Sequence, residues 1–299
     1  MLRAIETIRL YSLIFTVPAT VLWARTLGPA TGALLVATHA MLVLFYSAWS
    51  VKHDVDDGLA PRLGLVRRRR AVSSEMLEAF VPVSLGLVVL LAIALFISNF
   101  WIGLGAILAA GAAVWHGCQK RRDKYVRIEL IAPIGLLAGP GLLFHLHAWE
   151  PPKALQVFSE HPEGPAELAT SLTGTVVRPV VISSEALAAT LLAAAAFLIV
   201  ILLCLSRDRS ADIFDGIETT ATRFGRIGAG TLLWAWTLGV MLLSAIGVGA
   251  DWWHWSAAIL AAWGGAATLT LFTVRRDDVA VWVWLIAGGA MSVIATTTV

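Results

Sequence analysis

Nine apolar stretches, each about 20 residues long, constrain the fold of this chain more than any other feature of its sequence. A helix needs about 20 apolar residues to cross the roughly 30 Å hydrocarbon core of a bilayer. The stretches span residues 9–27, 30–51, 77–97, 99–117, 128–148, 185–205, 228–249, 256–274 and 279–298. None alternates polar and apolar residues as the strands of a membrane barrel do. The sequence therefore predicts an all-α integral membrane protein with about nine transmembrane helices around a central cavity.

The positive charges predict how these helices are oriented. If the N-terminus lies inside, 19 of the 22 Lys and Arg residues fall on the inner side of the membrane. Only Arg25, Lys153 and Arg178 remain outside. Because inner loops carry an excess of Lys and Arg, we expect an N-terminus in the cytoplasm. The predicted location is the bacterial inner (plasma) membrane, with residues 1–299 forming one transmembrane domain.

The composition excludes several classes of protein. Only 14% of the residues are charged, against about 25% in an average soluble domain. The formal net charge is +2, too small to attract polyanions to the molecule as a whole. We therefore expect membrane lipids as the surroundings of the protein and no nucleic acid among its partners.

Two clusters of acidic residues follow apolar stretches on the predicted inner side. Asp208 and Asp212 are four residues apart, which places them on one face of a helix. Asp54, Asp56 and Asp57 form the other cluster, which comes first in the chain. Mg²⁺ binds one or two protein carboxylates and completes its coordination with water and phosphate oxygens, so the two clusters could hold a diphosphate through shared Mg²⁺. The alternative is that all these acids are solvated loop residues.

A third inner loop is basic and begins with Lys120 and Arg121. These two cations lie closest to the preceding helix, from which their side chains could reach phosphate oxygens. The alternative is contact with lipid headgroups, which inner basic loops commonly make.

The segment after the sixth stretch resembles the UbiA superfamily of intramembrane prenyltransferases. Asp208-Arg-Ser-Ala-Asp212, Gly216-Ile-Glu-Thr-Thr220 and Arg223-Phe-Gly225 are similar in order and spacing to the family's DxxxD, G-x-x-(S/T)-T and terminal F/L-G patterns. Lys120-Arg121 is similar to the family's K-R pair, and Arg9 to the residue that enters its first helix. Together with the helix count, the resemblance covers nearly the whole chain.

The first acidic motif departs from the family pattern N-x-x-x-D-x-x-x-D. With Asp54 as the central Asp, Ser50 occupies the Asn position and Gly58 the position of the last Asp. Asp57 takes that last role if the loop is one residue shorter. A Ser hydroxyl still binds ligands but lacks the second functional group of the Asn amide.

The resemblance implies an Mg²⁺-dependent enzyme that ionises an isoprenyl diphosphate and transfers the prenyl group to an aromatic or lipid-like acceptor. It implies that Asp54, Asp57, Asp208 and Asp212 bind metal, with Asp54, Asp208 and Asp212 as the catalytic residues. It also implies that Lys120, Arg121, Arg9 and Ser50 contact the diphosphate.

Two alternative functions remain open. A terpene cyclase of the same superfamily would ionise the substrate and close it on itself, and the altered first motif and the 13 Trp residues favour this modestly. Trp234 or Trp236 could stabilise a carbocation by cation–π attraction. A transporter or non-catalytic membrane protein is the second alternative, although such proteins place ion-binding groups near the bilayer midplane.

Three Trp residues of the predicted outer loop suggest a structural role. Trp252, Trp253 and Trp255 are expected to be anchors at the membrane–water interface, where an indole ring is apolar and its N–H stays hydrated.

Overall fold

The computed structural model describes residues 12–56, 74–118, 184–214, 216 and 218–298 of the chain. Throughout these ranges the regular structure is helical, and no strand occurs in them. The eight helices are α1 (Leu13–Leu27), α2 (Pro29–Asp56), α3 (Ser74–Ser98), α4 (Phe100–Cys118), α5 (Ser184–Phe214), α6 (Thr220–Gly249), α7 (Ser256–Thr273) and α8 (Asp277–Thr298).

These helices correspond to the predicted apolar stretches. Eight of the nine stretches coincide with one helix each, and the remaining one, 128–148, lies outside the described residues. Helices α2, α3, α5, α6, α7 and α8 contain segments long and apolar enough to cross a membrane, and α1 and α4 contain shorter apolar segments. The prediction of an all-α membrane fold is confirmed. The count of nine helices, the cavity, the single domain and the N-inside orientation stay predictions.

The helices pack mainly on their neighbours in the sequence, and α8 packs against α1. Helix α5 contacts α1, α6 and α8 and is buried along most of its length. Its first half is rich in Ala, which lets helix backbones approach closely in a membrane. In contrast, α3 exposes large apolar side chains such as Leu90 and Ile97, as a lipid-facing helix does. Helix α5 is therefore a central element of the described bundle.

Trp284 fixes α8 against α5. Its ring is fully buried, and its Nε1–H donates a hydrogen bond of 2.8 Å to the carbonyl oxygen of Ala196. Gly264 of α7 lies against α8, where an added Cβ would be 2.4 Å from the Cβ of Ala287. A glycine is needed at this crossing because no side chain fits between the two helices.

The expected interfacial role of Trp253 is wrong. Its side chain is buried, and its Nε1–H donates a hydrogen bond of 3.0 Å to the carbonyl oxygen of Ser244. The ring lies against Gly247, where an added Cβ would be 2.0 Å from Cζ2 of the indole. Trp255 is exposed, as expected of an anchor, whereas Trp253 is a packing residue that joins the α6–α7 connection to α6.

Helices α2 and α5 both extend past the apolar stretches that predicted them. Helix α2 ends at Asp56 instead of residue 51, and α5 ends at Phe214 instead of residue 205. A hydropathy pattern ends where charged residues begin, but Arg, Ser and Asp can continue a helix. At about 1.5 Å per residue, α5 is about 46 Å long, which exceeds the roughly 30 Å hydrocarbon core. We therefore expect its charged final turns to lie beyond the apolar layer.

Candidate active site

The two acidic residues of the DxxxD segment, the second acidic motif along the chain, lie in the final turns of α5. Asp208 and Asp212 are one helical turn apart on the same face. Their exposed fractions are only 4% and 3%. The alternative that they are solvated loop residues is therefore wrong for this pair. Two buried carboxylates on one face repel each other, so the site requires compensating positive charge.

Arg207 supplies part of that positive charge. Its Nε and Nη2 donate parallel hydrogen bonds, both of 2.8 Å, to Oδ1 and Oδ2 of Asp208. Both side chains are buried, and such a bidentate pair is stronger than a contact between single atoms. Nε of Arg207 also lies 3.7 Å from Oδ1 of Asp278 at the start of α8. Arg207 thus connects the acidic end of α5 to α8.

The turn after α5 is shaped by two residues of the G-x-x-(S/T)-T segment. Gly216 adopts φ +66°, a left-handed conformation that side chains disfavour, and its N–H donates to the carbonyl oxygen of Ile213. Thr219 caps α6, because its hydroxyl accepts from the Thr222 N–H while the Thr222 hydroxyl accepts from the Thr219 N–H. The motif therefore has a structural role in reversing the chain beside the carboxylates.

Helix α6 is interrupted at Gly225, the last residue of the Arg-Phe-Gly segment. Gly225 has φ +67° and ψ −178°, a conformation restricted almost entirely to glycine. Arg209 of α5 lies nearby and donates a hydrogen bond of 3.0 Å from Nε to the carbonyl oxygen of Ala221. The segment before the kink is thereby held against the end of α5.

A second ion pair was not predicted from the sequence. Arg226, just after the kink, makes two hydrogen bonds of 2.8 and 2.9 Å to the carboxylate of Asp277 in α8. It also donates to the carbonyl oxygen of Phe272, and its guanidinium lies 4.4 Å from the centre of that ring. The sequence contains one local signal for this pair. Asp277 and Asp278 follow Arg275-Arg276 at the start of an apolar helix, where acidic residues are stabilised by the helix dipole.

The other predicted site residues lie at the end of α2 or outside the described part of the chain. Arg9, Asp57, Lys120 and Arg121 lie outside the described residues. Ser50 and Asp54 belong to the last turns of α2, and only the backbone of these two residues is described. Their meeting with Asp208 and Asp212 stays a prediction.

The carboxylates of α5 fit a magnesium site by their chemistry. Mg²⁺ prefers oxygen ligands and is commonly held by one or two carboxylates together with waters and substrate phosphates. Asp208 and Asp212 supply two such groups on one buried face. In the described part of the chain no three His, Cys, Asp or Glu residues form a metal-binding group. Further ligands would have to come from water, substrate or the remaining residues.

Comparison with known proteins identifies the fold. No family model and no curated protein matches the sequence. The structure is similar to the apo structure of a UbiA homologue from Aeropyrum pernix K1, with a TM-score of 0.62 and 16% identity over 95% of both chains. It is also similar to a digeranylgeranylglyceryl phosphate synthase, with a TM-score of 0.54 and 10% identity over 97% of both chains.

The described bundle therefore has the architecture of an all-helical integral membrane protein. More particularly, it shares the fold of the two solved structures, one of which is a UbiA homologue, and the likeness extends over nearly the whole length of both. The resemblance inferred from the motifs is confirmed at the level of the fold.

Proposed function

We propose that this protein is an intramembrane prenyltransferase that ionises an isoprenyl diphosphate with the help of Mg²⁺. The observation that carries the proposal is the burial of Asp208 and Asp212 on one face at the end of α5, in a chain with the UbiA fold. Buried carboxylates are normally paired with a positive charge or a metal ion, because burial disfavours their charged form. Arg207 pairs with Asp208, and a metal ion held between Asp208 and Asp212 would supply the further positive charge.

Acidic residues of this chain would bind the metal, and basic residues would bind the diphosphate. Four carboxylates would hold Mg²⁺. Asp208 and Asp212 belong to α5 and Asp54 to α2, and Asp57 is the residue that follows α2 in the sequence. When bound, the metal supplies positive charge that neutralises the departing diphosphate. Lys120, Arg121 and Arg9 would bind diphosphate oxygens, and Ser50 would donate a hydrogen bond in place of the family's Asn.

The apolar helices would bind the isoprenoid tail of the substrate. An isoprenoid tail is as apolar as the lipid that surrounds the bundle, so helices such as α5 and α6 can enclose it without polar partners. Excluding water protects an allylic carbocation, which water would otherwise capture. One structural match is named a digeranylgeranylglyceryl phosphate synthase, and this name supports a lipid-like acceptor for this chain.

The test uses full-length protein purified in detergent. Geranyl, farnesyl and geranylgeranyl diphosphates are supplied with and without Mg²⁺, and with and without aromatic or lipid acceptors. We expect diphosphate release that requires both Mg²⁺ and an acceptor. Release without any acceptor, together with a cyclic hydrocarbon, would replace the transferase with a cyclase. Absence of release in every combination would favour a transporter or another non-catalytic membrane protein.

A further inference from the structure

Arg207 lies between two carboxylates that belong to different helices. Its two hydrogen bonds to Asp208 are both 2.8 Å long, whereas its Nε is 3.7 Å from Oδ1 of Asp278. The distance from Arg207 Nε to Asp278 Oδ1 is thus less than 1 Å longer than the hydrogen bond from the same nitrogen to Asp208. The Arg207 side chain is only 3% exposed, while that of Asp278 is 64% exposed.

The guanidinium already contacts both oxygens through which Asp208 could bind a metal. Both carboxylate oxygens of Asp208 accept hydrogen bonds from Arg207. A guanidinium and a divalent cation on one carboxylate repel each other, and repulsion is strong where water is largely excluded. A cation that binds Asp208 therefore competes electrostatically with Arg207.

We propose that Arg207 is an exchangeable counter-ion, which neutralises Asp208 before cation binding and transfers to Asp278 when Asp208 binds the cation. The inference rests on the proposed function, because it assigns Asp208 to a divalent cation. Asp278 is suited to receive the guanidinium, since it is close, negatively charged and more accessible than Asp208. Arg207 is a positioning residue in this scheme, and cation binding at α5 is coupled to the start of α8.

Binding of Mn²⁺ to the full-length protein in detergent tests the exchange. Electron paramagnetic resonance reports free Mn²⁺, and the titration is made with and without inorganic pyrophosphate. We expect Arg207→Gln to bind Mn²⁺ about tenfold more tightly than the unmodified protein, because the competing cation is gone. Arg207→Lys, which keeps the charge but loses the planar fork, should lie between the two.

A double-mutant cycle separates exchange from the general effect of charge. If Asp278 accepts the displaced guanidinium, Asp278→Asn weakens Mn²⁺ binding about threefold when Arg207 is present and leaves it unchanged in Arg207→Gln. A purely electrostatic effect would be equal in both backgrounds and would overturn the exchange. Arg276→Gln and Glu218→Gln remove exposed charges near the same helix ends and serve as controls, with less than about twofold change expected.

The remaining outcomes separate this inference from the proposed function. If the unmodified protein binds no Mn²⁺ under either condition, both proposals are wrong. If it binds Mn²⁺ and Asp212→Asn abolishes binding, but Arg207→Gln binds equally or more weakly, the exchange is wrong and the metal site stands. Thermal unfolding of each variant with saturating Mn²⁺ shows that weaker binding does not reflect loss of the fold.

Discussion

Arg226 and Asp277 join α6 to α8 through two parallel hydrogen bonds of 2.8 and 2.9 Å. The same guanidinium reaches the carbonyl oxygen and the ring of Phe272 at the end of α7. One side chain therefore holds the ends of three helices beside the candidate site. These contacts fix the positions of α6, α7 and α8 relative to one another near the buried carboxylates of α5.

We expect Arg226→Gln to lower the free energy of unfolding by about 2 kcal/mol, because it removes a bidentate pair and a cation–π contact. Thermal unfolding in detergent measures the change. Asp277→Asn should destabilise by a similar amount, and the double variant by little more than either alone. Arg276→Gln is the control, since Arg276 is exposed and adjacent to Asp277. Full additivity of the two substitutions would show that the pair does not act as a unit.

Gly225→Ala should destabilise the protein by about 1 to 3 kcal/mol, because Ala strains the backbone at φ +67° and ψ −178°. Space is not the cause, since the nearest atom to an added Cβ is Nη2 of Arg209 at 3.9 Å. Gly239→Ala in the same helix is the matched control. It also has open space around its Cβ and should be neutral or slightly stabilising. Equal unfolding temperatures for the two variants would contradict the assigned kink.

The helices were predictable because each depends on an apolar run that the sequence shows directly. The ends of α2 and α5 were not, because hydropathy cannot tell a charged helical turn from a charged loop. The second acidic motif was found from its i, i+4 spacing, and its burial became visible only in the structure. The pairing of Arg226 with Asp277 joins residues 51 positions apart and has no local pattern.

Trp253 shows the same limit for a single side chain. A Trp in an outer loop of a membrane protein suits an interfacial anchor by composition, and Trp255 is exposed as that role requires. Trp253 differs because the chain turns back onto α6 and places its ring over Gly247. Only the three-dimensional path of the loop distinguishes two residues so close in the sequence.

We expect Trp253→Phe to lower the unfolding temperature, with a loss of about 1 to 3 kcal/mol from the hydrogen bond to Ser244 and from packing. Trp255→Phe should change stability by less than about 0.5 kcal/mol, because that ring is exposed. Thermal unfolding of the two variants in the same detergent gives the comparison. A smaller effect for Trp253→Phe than for Trp255→Phe would contradict the packing role of Trp253.

The alignment of the first motif can be tested at the end of α2. If Asp54 is the central metal ligand, Asp54→Asn should reduce turnover by at least about 100-fold. Asp56→Asn should have a smaller effect, since Asp56 has no position in the family pattern. The measurement is diphosphate release at saturating substrate and Mg²⁺. Equal losses in the two variants would mean that the motif is aligned in the wrong register.

Asp212→Asn tests the second motif with the least damage to the fold. The substitution keeps the size of the side chain and leaves the hydrogen bonds between Arg207 and Asp208 in place. We expect turnover to fall at least about 100-fold, because an amide is a far weaker Mg²⁺ ligand than a carboxylate. Raising the Mg²⁺ concentration should recover part of the activity if the lost function is metal binding.

Glu218→Gln is the matched control for that experiment. Glu218 is an exposed acid in the turn after α5, so its neutralisation removes the same charge from the same region. Turnover should stay within about twofold of the unmodified protein, because exposed charges at this distance are screened by salt. Unfolding temperatures within a few degrees for both variants would show that the loss in Asp212→Asn is chemical. Retained turnover in Asp212→Asn would remove this carboxylate from the site.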